Sequence, residues 1–175
     1  MPSLPRVRRA TIALLAGGIG IVINTLALKA ADLVPLATAR GGLLRLIRPW
    51  FAPILNQIGV AAWWDRLGAP LPGSAAFATG FHVVVGILMA EFYAYALESW
   101  LPGSPWRKGL LYAVLVWLLN AAVVLPTTGE GFAGSAHLSL AGMVWFAIAH
   151  TLFFVVLAVG FARLSNVSKA LPLRS

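Results

Sequence analysis

The chain contains no cysteine. Disulfides, thiolate metal sites, cysteine nucleophiles and covalently attached c-type haem are therefore excluded, and the absence chooses no compartment. Charge is scarce as well. Only 10% of the residues are Asp, Glu, Lys or Arg, against about 25% in a soluble domain. Acid is the scarcer sign, with 5 Asp and Glu facing 13 Lys and Arg.

What the chain has instead is apolar surface. Hydrophobic residues make up 60% of it and the mean hydropathy is +0.87, which argues against a water-soluble globule. The 175 residues suffice for one compact bundle and not for two domains. The net charge of +8 comes from basic residues that flank the apolar runs. Arg6, Arg8 and Arg9 precede the first run, Arg107 and Lys108 precede the third, and Arg163, Lys169 and Arg174 follow the last. This placement points to anionic lipid headgroups and control of topology. Nucleic acid is not an expected partner, because no aromatic–basic interleaving and no DNA-reading helix is present.

Four runs are long and apolar enough to cross a bilayer as helices: residues 11–28, 77–97, 109–125 and 138–161. The basic start and apolar run at the N-terminus resemble a secretory signal. The run exceeds the usual ~7–15 residues of such a signal, and Lys29 suits a cleavage site poorly. The first span is therefore expected to be retained. Gly17, Gly18 and Gly20 within it form a small-residue surface for a neighbouring helix. Residues 40–66 are apolar but broken by Arg45, Arg48, Pro49 and Pro53. With Trp50, Trp63 and Trp64 they read as an amphipathic segment at the headgroup level. The fold class is thus all-α: a polytopic membrane protein of four helices in one bundle, with an interfacial segment after the first. The distribution of Lys and Arg around the spans predicts both termini cytoplasmic, in the inner (plasma) membrane of the cell.

Polar residues inside the spans are the candidates for chemistry. A carboxylate at the centre of a membrane helix costs about 2.5–3.5 kcal/mol on insertion scales, so Glu91 draws attention first. Glu91, Tyr95 and Glu98 are spaced i, i+4, i+7 and share one face of a regular helix. His82 is nine residues from Glu91 and lies on nearly the opposite face. Both faces of the second span are therefore expected to meet protein or cavity. At a helical rise of about 1.5 Å per residue, Asn24, His82 and Asn120 fall roughly 5–7 Å to the outer side of the midplane. His150 falls near the midplane, and Glu91 roughly 6 Å to the inner side. Two readings stay open. The cluster Asn24, His82, Asn120, His150 and Glu91 is a small-ligand or ion site or a proton relay; or these groups are interhelical hydrogen bonds worth about 0.6 kcal/mol each.

No cofactor is expected. A b-type haem would need two imidazoles, from His82 with His137 or His82 with His150. The stretch Gly129–Gly134 fits G-x-G-x-x-G letter by letter, yet it joins two membrane spans and lacks the strand and acidic residue of a dinucleotide fold. Its glycines are expected to make a tight turn over the mouth of the bundle. Thr127, Thr128, Ser135 and Ser139 have no His and Asp at a triad spacing, so no hydrolase is expected.

The motifs FHVVVGILMAEFYAYAL, GLLYAVLVWLLNAAVVLP, TTGEGFAG and IAHTLFF fall between Phe81 and Phe154. On them, the segment His82 to Phe161 resembles a group of small bacterial integral membrane proteins with four helices. That group has no established activity, so the resemblance implies a fold and no catalytic residues. The expected function is non-enzymatic: ligand or ion binding at the polar cluster, or an accessory role in a homo-oligomer or larger membrane complex. A proton- or cation-coupled transporter subunit working as an oligomer, and a haem-binding subunit, are the alternatives.

Overall fold

The computed structural model describes residues 5–33, 74–170 and the single positions 57, 59, 62 and 66–68. The segment 40–66, expected at the interface, falls almost wholly outside the described residues.

Four helices make up the described structure. Helix α1 is Arg6–Leu33. Helix α2 is Ala75–Phe92 and runs straight into a π-helical turn, Tyr93–Leu97. Helix α3 is Pro105–Leu119 and continues through a second π turn, Asn120–Val124, into Leu125–Thr127. Helix α4 is Leu140–Ala170. Each is long and apolar enough to cross a membrane, and no strand occurs among the described residues. A closed set of helices satisfies its own backbone groups, which lipid cannot do. α1 and α4 are longer than the apolar runs that announce them, because both continue into basic residues suited to the headgroup level.

The chain marks its own helix starts. Ser74 caps α2 by accepting from the Phe77 N–H at 3.1 Å. Ser104 precedes Pro105, whose missing N–H is harmless at a first helical position. Ser139 Oγ accepts from the Gly142 N–H at 3.2 Å at the head of α4.

The π turns also have local reasons and consequences. Leu125 N–H reaches back five residues to Asn120 O. The next residue, Pro126, has no N–H and its ring crowds the preceding turn; a widened turn is one way a membrane helix absorbs this. In α2, Glu98 N–H reaches Tyr93 O at 2.8 Å. This extra residue in the turn rotates everything after it.

α1 and α4 pack side by side as the spine, with α2 along α1 and α3 along α4. Close approach is built on small residues. A Cβ on Gly17 would sit 2.5 Å from Ala90 Cβ of α2, and one on Gly20 would sit 2.9 Å from the Phe153 ring of α4. Gly18, expected on the same surface, has nothing within 4 Å. The three glycines thus serve two different neighbours and open space, since consecutive helical positions are about 100° apart.

Near the end that carries both termini, the helices are tied by aromatic rings. Tyr93 stacks on Tyr112 with centroids 6.0 Å apart, Tyr112 meets Phe154 edge-on at 4.4 Å, and Tyr93 meets Phe161 edge-on at 5.9 Å. Tyr112 also donates to the Met89 carbonyl at 3.3 Å. This cluster is where α2 and α3 meet.

An ionic clamp closes the same end. Glu98 pairs with Arg9 of α1 and Lys108 of α3, both at 3.3 Å. Tyr95 donates to the Arg6 carbonyl at 2.8 Å, and Arg8 donates to the Ser168 carbonyl at 3.0 Å. All four helices are linked by these contacts.

At the opposite end, Gly129, Gly131 and Gly134 have φ of 81°, 71° and 88°. These left-handed conformations explain the glycine spacing as turn chemistry. The turn Phe132–Gly134 packs on the π turn Asn120–Val124.

Candidate functional site

A cavity of about 120 Å³ lies between α2 and α3, against the α1–α4 spine. It exists because α2 and α3 follow different partners and are braced together by Tyr112 lower down. Asn24 of α1, His82 of α2, Asn120 of α3 and His150 of α4 all line it. One polar side chain therefore comes from each helix.

The rest of the wall follows from helical periodicity around those four. Val85, Gly86 and Met89 lie three, four and seven residues after His82. Phe153 and Phe154 lie three and four after His150, and Ile21 lies three before Asn24. Val116 and Val124 stand four residues either side of Asn120. Residues at these spacings share a helix face. The apolar lining was missed by reading the polar residues alone, although the same spacing rule finds it.

Asn24 is the most constrained of the four. It is 2% exposed, and its Nδ2 donates to the Ala149 carbonyl at 2.8 Å. Its Oδ1 is buried without a hydrogen-bond partner. Exchanging the amide's O and N would set oxygen against oxygen, so the donor assignment is secure chemically. An unsatisfied buried acceptor costs about 1–3 kcal/mol.

His150 is arranged in a parallel way. Its Nδ1 lies 2.8 Å from the Phe146 carbonyl one turn back. A carbonyl only accepts, so Nδ1 carries the hydrogen and Nε2 of the neutral ring keeps its lone pair. The ring packs against Phe146 with centroids 4.2 Å apart. Both Asn24 and His150 thus donate to backbone carbonyls of α4. Asn24 keeps a second N–H, and the neutral His150 ring keeps one acceptor, Nε2.

His82 and Asn120 face them from α2 and α3. Neither side chain forms a hydrogen bond within the described residues. An imidazole and a primary amide each offer at least one N–H donor and one acceptor. No lining residue carries a fixed formal charge. No group of three or more His, Asp or Glu that could hold a metal ion occurs among the described residues.

Glu91 is not part of this wall. It stands on the outward stripe of α2 with Val84 and Leu88, which are 54% and 62% exposed. It is partly buried and makes no hydrogen bond or ion pair among the described residues. The His82 side of this span meets the cavity, and the Glu91 side is partly covered by protein without lining it. Tyr95 is also outside the cavity, held at the terminal end by Arg6 and by the Arg9 guanidinium 5.7 Å from its ring centre. The π turn at Tyr93–Leu97 separates Glu98 from the Glu91 stripe and turns it to Arg9 and Lys108. His137 lies in the loop before α4, with Nδ1 2.8 Å from Glu130 Oε2, and does not line the cavity.

Comparison with protein-family models, with curated proteins and with solved structures found no match.

Proposed function

We propose that this multi-pass membrane protein binds a small molecule, without covalent chemistry, in the cavity lined by Asn24, His82, Asn120 and His150. The observation that carries the reading is the pair His82 and Asn120, which line the cavity with no hydrogen-bond partner among the described residues. Polar groups inside a fold are paired in most proteins. The convergence of a polar group from every helix on one small apolar-walled space supports the same reading, since ligand sites combine apolar lining with a few placed polar groups.

Native mass spectrometry of the protein purified in mild detergent tests it. The wild type is expected to carry a small adduct that is absent from a His82→Leu/Asn120→Leu variant of equal helicity. Identical adduct-free spectra for the two proteins, from mild detergent and from membrane extracts alike, would overturn the proposal.

A further inference from the structure

The ligand's chemistry can be narrowed, on the reading that the cavity is a ligand site. On the α1–α4 wall, Asn24 Nδ2 gives one of its two N–H groups to the Ala149 carbonyl, and His150 Nδ1 is committed to the Phe146 carbonyl. Asn24 Oδ1 is fully buried, so the acceptor on this wall is His150 Nε2. A ligand that satisfies His150 must therefore donate a hydrogen bond to this wall. On the opposite wall, His82 and Asn120 retain N–H groups and suit a ligand atom that also accepts. A hydroxyl does both.

Charge and shape limit the class further. No carboxylate lines the cavity, so a cation would enter a low-dielectric site with no counter-charge, which is strongly disfavoured. Phe153, Phe154 and Met89 supply ring and thioether surface for an apolar body. The volume of about 120 Å³ approaches the ~150 Å³ that accommodates a benzene molecule in an apolar protein cavity.

We infer that the cavity binds an uncharged single-ring phenol, or the phenolic head of a lipid-soluble molecule. Its hydroxyl donates to His150 Nε2 on the α1–α4 wall, and it accepts from His82 or Asn120. The test compares 4-fluorophenol with 4-fluoroanisole, which keeps the ring and the acceptor oxygen but lacks the donor. Binding to the full chain in lipid nanodiscs is read by fluorine NMR, with empty nanodiscs correcting for partition into lipid. The phenol is expected to bind at least tenfold more tightly than the anisole. His150→Leu, first checked for wild-type helicity, is expected to reduce that preference, and an undiminished preference in that variant would overturn donation to His150. Equal binding of both probes would overturn the donor requirement and leave a small-molecule cavity. Binding of neither probe would overturn the phenol inference itself, and the adduct measurement would then decide the broader reading alone.

Discussion

Asn24 donates its amide hydrogen to the carbonyl of Ala149 across the α1–α4 contact at 2.8 Å, while its own oxygen is left without a donor. The pair joins the two helices of the spine and at the same time leaves the amide oxygen buried without a partner. A stabilising bond and a costly buried acceptor therefore meet in one side chain, with opposite energetic signs.

The first prediction follows from those signs. An interhelical hydrogen bond in a membrane protein is worth about 0.6 kcal/mol, and an unsatisfied buried acceptor costs about 1–3 kcal/mol. Asn24→Leu removes both and keeps the heavy-atom count and the branch at Cγ, and its larger methyl groups have the adjoining cavity to grow into. The variant is expected to be as stable as the wild type or up to about 2 kcal/mol more stable. Reversible unfolding in mixed micelles measures it. A loss of more than about 1 kcal/mol would mean that the acceptor is satisfied in the folded protein after all.

The glycines of α1 give a paired test of helix packing. A side chain at Gly17 meets Ala90, whereas Gly18 faces open space. Gly17→Val is expected to cost about 1–3 kcal/mol through overpacking. Gly18→Val should cost well under ~1 kcal/mol, as surface substitutions usually do. Thermal unfolding of the two variants side by side decides it. Equal losses would contradict the packing of α2 against α1.

The two acidic residues of α2 and its π turn should behave differently. Glu98 holds Arg9 and Lys108 at partly exposed positions. Exposed pairs of this kind contribute about 0.2–1 kcal/mol and are screened by salt. Glu98→Gln should therefore lower the midpoint of unfolding in low salt, with the difference shrinking at high salt. Glu91→Gln should show no such salt dependence and should leave fluorophenol binding unchanged within about twofold, because Glu91 lines no part of the cavity. A tenfold loss of binding in Glu91→Gln would require a path from that carboxylate to the cavity.

Much of the fold was legible because each span's signal is local. Length and hydropathy announce four membrane helices without reference to any other part of the chain. The four polar residues could be assigned similar depths from the rise of a helix alone. Depth says nothing about rotation, however. An intramembrane carboxylate such as Glu91 is costly wherever it sits, but which way it faces depends on which side of α2 finds a neighbour. α1 covers the side bearing Gly86 and Ala90, and Glu91 is left on the outer stripe. The shared face assumed for Glu91, Tyr95 and Glu98 needed an uninterrupted α-helix. The π turn at Tyr93–Leu97 removed that condition.

The sequence by itself determined the four membrane helices among the described residues and the glycine turn between the last two, because these rest on hydropathy and on steric freedom at single residues. Only the tertiary structure decided that α2 and α3 stand apart above Tyr112, that His82 and not Glu91 faces the space between them, and that Asn24 keeps a buried oxygen unpaired. Those outcomes depend on helix rotation and on which helices touch. Both are fixed by contacts between residues distant in the chain, so no local pattern encodes them.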